Sequence, residues 1–318
     1  MIIEENSYIV VIGGANLDIK GYSEGELIRG TSNPGKVISS PGGVGCNLAS
    51  VLAELNNRVF LISAVGKDPA GKKILKKTGK RAVNLEFIIQ SDKYKTGTYL
   101  AVLDEKGELL AGIADMEIIK EITGQRLQER RELLAKAGLI FLDTNLTLET
   151  LSWLFKAELT ARIVVDPVSL EKAGKIKEFL PQIDYLTPNL AEFCFLYDLK
   201  KPGAEGDYQK LSQLIAAKRE DKSPRTTLVV SLGSQGVIYS SPLKTFYQPV
   251  PIKIVEEITE TTGAGDALTA GFIHGIYHSL KPEKAVEYGQ YAALMTIKSS
   301  DTVVENLASK IKAVQHGR

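Results

Sequence analysis

The residues best placed to do chemistry lie together in Glu260-Thr261-Thr262-Gly263-Ala264-Gly265-Asp266, which runs straight into the apolar stretch Ala267-Leu268-Thr269-Ala270-Gly271-Phe272. Gly263 and Gly265 permit backbone conformations and close approaches that a Cβ would forbid. The apolar stretch predicts a helix, whose first N–H groups and positive dipole end would make an anion site at this turn. Asp266 then has two readings. It could be a favourable carboxylate cap, or a base acting on a group that attacks the bound anion. The segment taken alone leaves both open.

A second glycine-rich turn precedes a helix in Pro41-Gly42-Gly43-Val44-Gly45-Cys46-Asn47, with Leu48, Ala49, Val51, Leu52 and Leu55 at helical spacing. Upstream, Asn16 and Asp18 stand two apart and share a side if that stretch is extended. Two such modules in opposite halves of one chain suggest two ligand groups held facing each other. Neither is a P-loop, and neither is a dinucleotide fingerprint with its acidic ribose partner, so a nicotinamide cofactor is not indicated.

The elements that must position these residues read as α/β. Tyr8–Ile12 is a continuously apolar, β-branched run ending at Gly13-Gly14, which predicts a buried central strand; Val59–Val65 predicts the next. From Leu133 onward, apolar strands Leu139–Leu142, Ile163–Val165, Tyr185–Thr187 and Leu228–Leu232 alternate with helical patterns, as in βαβ units of a mostly parallel sheet. Polar residues gather at their carboxyl ends: Asp143-Thr144-Asn145, Asp166-Pro167, Asn189 with Glu192, and Ser231 through Gly236. Open α/β sheets bind ligands at that edge. The polar Gly21–Ser40 segment and the alternating strands Tyr94–Leu103 and Leu109–Ile113 suit a small β lid better than the parallel core. Such a lid has an apolar face for a cleft or a second subunit to cover, with Tyr99, Leu100 and Val102 as candidates. The Lys200–Asp207 and Lys218–Arg225 segments read as surface connections around a helix Tyr208–Ala217, and Ala285–Lys298 as a further helix.

Composition narrows the function. With 318 residues, 44% hydrophobic and 24% charged, the chain can bury a large core. A net charge of +1 gives no electrostatic footprint for nucleic acid or membrane. Cys46 and Cys194 are the only cysteines, which fits a reducing, cytoplasmic setting without disulfides. No signal peptide is expected from Glu4, Glu5 and the strand-like run that follows, and no 18-residue apolar run in the sequence predicts a membrane span. His274 and His278 have i,i+4 spacing but lack the partners of a zinc site, and read as helix surface.

Pro41-Gly42-Gly43-x-x-x-Asn47-x-Ala49, Val65-Gly66-x-Asp68-x-x-Gly71, Asp166-Pro167, Asn189-x-x-Glu192, Ser231-x-Gly233-x-x-Gly236 and Thr261-Thr262-Gly263-Ala264-Gly265-Asp266 occur in that order. Together they resemble the ribokinase-like (PfkB) carbohydrate kinase family across essentially the whole chain. The resemblance implies a single ribokinase-like domain over residues 1–318: a three-layer α/β/α fold with a mostly parallel central sheet. A β lid from about 18–40 and 94–115 would cover it. It implies ATP-dependent phosphorylation of a sugar or nucleoside hydroxymethyl group, with Asp266 as base and Gly263, Ala264 and Gly265 as a backbone anion hole. Asn189 and Glu192 match the motif that organises Mg2+, through water. Asn189, Ser231, Gly233, Gly236 and Thr262 match nucleotide-binding positions. Asn16, Asp18, Gly42, Gly43 and Asn47 match the acceptor pocket, to which Asp143 and Asp166 are also expected to contribute. The resemblance further implies a small-molecule acceptor and a homodimer clasped through the lid.

Some positions depart from the family pattern. Glu260 stands where Asp or Asn is frequent, at a position linked to monovalent-cation activation, so a potassium requirement is not carried over. Val44 replaces a frequent Lys or Ala, and Asn56-Asn57 stands where Gly often closes the helix; Asn tolerates the left-handed cap. Within the family, Gly14–Tyr22, Ser32–Lys36, Pro41–Asn47, Ala114-Asp115-Met116, Asp143–Leu146 and Asp166–Ser169 are most similar to the pseudouridine kinases. That similarity makes the 5′-hydroxyl of pseudouridine the expected acceptor; the alternatives are a ribokinase or other sugar or nucleoside kinase of the family, and a non-catalytic ligand sensor, against which the intact Asp266, Gly263 and Gly265 argue. Asn33 or Asp115 in the lid would read the extra N–H of a C-linked uracil, although Asn33-Pro34-Gly35 also reads simply as a hairpin turn.

Overall fold

The computed structural model describes residues 7–104, 109–200, 206–251, 262–299 and 301–315. In chain order the first half holds β1 (Ile9–Ile12), β2 (Asn16–Ser23), β3 (Gly35–Gly42), α1 (Val44–Glu54), β4 (Val59–Ile62), β5 (Ala64–Gly66) and α2 (Pro69–Gly79). Then come β6 (Ile89–Ser91), β7 (Gly97–Leu103), β8 (Leu109–Asp115), α3 (Gly124–Gln128), α4 (Arg131–Ala135), β9 (Leu139–Asp143) and α5 (Leu148–Lys156). The second half continues with β10 (Arg162–Asp166), α6 (Leu170–Ala173), β11 (Tyr185–Leu186), α7 (Leu190–Leu196), α8 (Tyr208–Lys222) and β12 (Thr227–Ser231). It ends with β13 (Val237–Ser240), β14 (Thr245–Gln248), α9 (Ala264–Tyr277), α10 (Pro282–Ile297) and α11 (Leu307–Gln315).

Among the described residues the main sheet has eight strands in the order β14-β13-β12-β11-β10-β9-β1-β4. It is parallel from β12 to β4, while β13 and β14 add an antiparallel edge. Both faces are covered. Val10 and Ile12 join a core with Leu151, Phe193 and Ile215, whereas Ile9 and Val11 join one with Leu52, Phe272 and Ala292. The alternation shows why β1 is apolar at every position: a strand between two helical layers has no solvent side. The expected βαβ alternation and mostly parallel sheet are present.

Four differences from the sequence reading have local causes. β1 is second from the edge, beside β4, although its residues are as buried as those of a central strand. The expected Val59–Val65 strand breaks at Ser63, whose hydroxyl donates to Gly13 O; beyond it β5 pairs with β6 instead. α8 runs on to Lys222 because Arg219 is buried, donating to Ser240 Oγ and Pro224 O, so a charged residue lies inside. His274 and His278 are not simply helix surface: both ring edges meet Asn57 Oδ1, at 3.2 and 3.1 Å. Asn56, by contrast, adopts φ 61°, the left-handed closure of α1 expected for it.

The lid is a separate four-stranded sheet in the order β3-β2-β7-β8, and β2 pairs parallel with β7 while both outer pairs are antiparallel. Asp68 fixes where its second half begins. The side chain caps α2 through Gly71 N at 2.8 Å, and also accepts from Thr96 N at 2.8 Å and Thr96 Oγ1 at 2.7 Å. Cross-strand partners share a face, so Asp18 and Tyr99 lie on one side of the lid and Leu100, paired with Ile113, on the other. Tyr99 therefore does not join Leu100 and Val102 in one apolar patch, because side chains alternate along a strand.

Candidate active site

The site forms where the carboxyl ends of β1, β9, β10, β11 and β12 meet the N-termini of α1 and α9. At the start of α9, Gly263 takes the left-handed conformation, φ 84°, and Ala267 N donates to Gly263 O at 2.9 Å as the first helical bond. The N–H groups of the intervening first turn have no partner within the helix. Gly265 is exposed, and an added Cβ would meet nothing within 4 Å, so this turn opens outward. Thr262 precedes it; Glu260 and Thr261 lie outside the described residues.

Beside the turn lies a mainly apolar cavity of about 280 Å³, lined by Ser231, Gly233, Gly236, Gly265, Leu268 and Gln290 among others. Asn189 is brought next to Ser231 by a β-bridge. Of the positions expected from the sequence to bind a nucleotide, Ser231, Gly233 and Gly236 line this cavity, with Ala264 and Gly265 in its wall; Asn189 adjoins it through Ser231 and Thr262 through the turn.

On the opposite side of Asp266 is the second module. Asn47, in α1, donates from Nδ2 to Asp266 Oδ2 at 2.9 Å. Asn16 Nδ2 donates to Asp18 Oδ1 at 2.5 Å. A Cβ at Gly42 would lie 2.0 Å from Asp18 Oδ2, and one at Gly43 would lie 2.6 Å from Gly14 O and 2.7 Å from Asn16 Oδ1. The glycine pair is required because β3 enters α1 pressed against Asn16 and Asp18. Thus Asn16, Asp18, Gly42, Gly43, Asn47 and Asp266 form one constellation.

Asp143 and Asp166 are register partners at the ends of β9 and β10, on the face covered by α1 and α9. Their roles differ from the sequence expectation in one case. Asp143 has 0% exposure, so it cannot line an open acceptor pocket. Its Oδ2 accepts from Gly14 N at 2.8 Å and Gly45 N at 3.0 Å, and its Oδ1 from Asn145 N at 2.9 Å. It is a brace tying the turn after β1 and the first turn of α1 to the end of β9. Asp166 stays half-buried and accepts from Val168 N at 2.8 Å.

Asn33 is also misplaced for its expected part. It sits at the tip of the β2–β3 hairpin, with its amide bonded to Ile28 N, Ile28 O and Thr31 O. Asp18 pairs with Ser40 and Ser23 with Gly35, five residues further out, which is about 16 Å at 3.3 Å per residue. Asn33 holds its own loop and cannot read a base beside Asp18. Asp115 pairs with Thr98 at the lid's foot, but, two residues from Ile113 on one strand, it takes the face of Leu100 and Ile113, opposite to Asp18, so its expected part in reading the base is not met on this face either.

Burial and crowding of carboxyls set the electrostatics. Burial raises Asp266 to about 7; the Asn47 bond opposes this, and the fields of Asp143 and Asp18 add to it. Asp166 is pushed well above the usual carboxylate range by burial and then by Asp266. Burial also raises Asp18, against the Asn16 bond and Lys20. A half-buried carboxyl near 7 at the meeting point of an anion-binding turn and a polar pocket is suited to general-base work at neutral pH.

The fit for a magnesium ion is limited. Asn189 and Glu192 form a capping box, with Glu192 N donating to Asn189 Oδ1 and Asn189 N to Glu192 Oε2, both at 2.9 Å. This leaves the other oxygen of Glu192, and no group of three or more potential ligands for a direct cage exists among the described residues. Such a donor set suits Mg2+ held by phosphates and water.

The sequence reading passed over Lys20, whose Nζ donates to Thr262 Oγ1 at 3.0 Å. The signal was present: Asp18-Ile19-Lys20 places Lys20 on the face of Asp18 once the stretch is a strand. It also passed over Lys172, which donates to Asn145 Oδ1 at 2.7 Å beside Asp143.

Comparison with known proteins agrees with this geometry. The model of the pfkB family of carbohydrate kinases matches residues 6–307. A pseudouridine kinase of Escherichia coli (strain K12) is 34% identical over 94% of this chain and 93% of its own. A carbohydrate kinase from Agrobacterium tumefaciens superposes with a TM-score of 0.79 at 27% identity, covering 96% of each chain. An Arabidopsis thaliana ribokinase solved with ribose and ATP shares the fold, with a TM-score of 0.80 at 22% identity over 96% of this chain and 98% of that one. Paired glycine turns, the Asn47–Asp266 contact and a match along most of the sequence lead to one conclusion: the chain belongs to the pfkB carbohydrate kinase family, and is an ATP-dependent sugar or nucleoside kinase.

Proposed function

We propose that the protein phosphorylates the 5′-hydroxyl of pseudouridine, giving pseudouridine 5′-phosphate. The observation that carries the chemistry is the Asn47–Asp266 bond, which sets the base between the acceptor residues Asn16 and Asp18 and the anion-binding turn. Asp266 takes the hydroxyl proton as the oxygen attacks, and the first-turn N–H groups of Ala264 and Gly265 face the oxygens that gain charge. Little covalent work is asked of the protein, since phosphoryl transfer depends mainly on positioning and charge stabilisation. Bound Mg2+ would neutralise phosphate charge, with Glu192 and Asn189 ordering its water shell.

The choice of acceptor is supported by the likeness to the Escherichia coli pseudouridine kinase along nearly the whole chain. The exposed lid side chains Val37, Leu100 and Ile113 further support a homodimer in which each lid covers the other. A panel of pseudouridine, uridine, adenosine, ribose and fructose with ATP tests the acceptor. Pseudouridine should give the highest kcat/KM; best turnover of ribose or fructose rejects it.

A further inference from the structure

β2 places Asn16, Asp18 and Lys20 at alternate positions, so all three face the core-side surface of the lid. The Cα partners of Lys20 are Ile38 in β3 and Ala101 in β7, which puts it in the interior of the lid rather than at its rim. From there its ammonium crosses to the core and bonds Thr262 Oγ1 at 3.0 Å, joining positions 242 apart in the chain. Thr262 is the residue directly before Gly263. A lid cation therefore stands at the mouth of the anion-binding turn and two positions from the acceptor carboxylate Asp18.

The charge balance gives this position a purpose. Asp18, Asp143, Asp166 and Asp266 surround the junction, and the transferred phosphoryl spreads further negative charge over its equatorial oxygens. The start of α9 offers roughly half a positive charge. Lys172 and Lys175 are tied to Asn145 and to the carbonyls of Thr144 and Leu146, around the end of β9. Lys20 supplies a full charge from the lid side.

We propose that Lys20 is a further catalytic residue, whose ammonium contacts the oxygens of the phosphoryl group during transfer. The inference rests on the kinase reading above. In the step, the acceptor oxygen bonds to the γ-phosphorus while its proton passes to Asp266. The bond from that phosphorus to the bridging oxygen breaks, and the electron pair leaves with ADP. The competing account makes Lys20 a strut that only holds the lid against Thr262.

With pseudouridine and ATP, Lys20→Met should lower kcat by about 10²–10³-fold, the range for losing one preorganised charge-stabilising donor, with Lys20→Arg recovering much of it. KM for pseudouridine should move far less than kcat. Binding of ADP with magnesium and aluminium fluoride in the presence of pseudouridine should weaken by at least about tenfold in Lys20→Met, while ADP alone binds as in the wild type. Lys20→Gln, which can still bond Thr262, separates the accounts and serves if the Met variant misfolds. The strut account expects near wild-type kcat; the proposal expects a loss like that of Met. Unchanged kcat in the Gln variant, or equal weakening of the fluoride complex and of ADP alone, overturns it. If ribose or another nucleoside proves the better acceptor, the pseudouridine reading fails, and the same variants assayed on that acceptor still decide the role of Lys20.

Discussion

Asn47 Nδ2 lies 2.9 Å from Asp266 Oδ2, and this bond both orients the carboxyl proposed as the base and restrains its proton affinity. With Asp266 at about 7, kcat/KM for the acceptor should fall about tenfold per pH unit below that value and level off above it, because only the carboxylate accepts the proton. Removing the donor with Asn47→Ala should move the acid limb to higher pH. A limb that stays in place would detach Asn47 from the base.

Asp266→Asn keeps the size of the side chain and removes its basicity. Turnover should fall by more than the usual general-base range of about 10²–10⁴, since the acceptor hydroxyl is also positioned by this group. ADP affinity, measured by calorimetry, should change little. A variant retaining a tenth of wild-type kcat would place the base elsewhere.

Asp143→Asn tests the brace. An amide cannot accept from all the N–H groups of Gly14, Gly45 and Asn145, and leaving one buried donor unpaired should cost about 2 kcal/mol in urea unfolding. Acceptor KM should rise as the turn after β1 and the first turn of α1 loosen. The acid limb should shift to lower pH, because a negative neighbour of Asp266 is gone. A shift in the opposite direction would contradict the electrostatic account.

His274 supplies a stability signal remote from catalysis. Burial, with the fields of His278 and Lys312, lowers it to about 4. The folded pKa lies below the unfolded value near 6.5, so the unfolded chain binds the proton more readily between the two. Stability should be complete above about pH 6.5 and decline toward pH 4, by on the order of 3 kcal/mol from this ring. Unfolding at pH 5 and pH 7.5 should show the decline in the wild type and a smaller one in His274→Gln.

The lid's outer face carries Val37 at 73%, Leu100 at 37% and Ile113 at 65% exposure. If a second copy covers it, Ile113→Lys should convert two-chain particles to single chains in sedimentation equilibrium. Two-chain particles that survive the change would move the contact off this face.

Sequence by itself determined what local physics controls. Continuous apolar runs marked the parallel strands, and polar residues after them marked the ligand edge. Glycine pairs at Gly42-Gly43 and Gly263–Gly265 marked where backbone must pass close or turn left-handed. Tertiary structure alone decided which of those polar side chains face the opening. Asp143 and Asp166 look equivalent in sequence, yet Asp143 is consumed by N–H groups 98 and 129 positions away. Asn33 lay in the right segment but at the wrong height of a hairpin, and Lys20 became visible only when β2 carried it over Thr262. Strand periodicity fixes the face a side chain takes; what stands opposite that face depends on contacts between distant parts of the chain, which no short window of residues encodes.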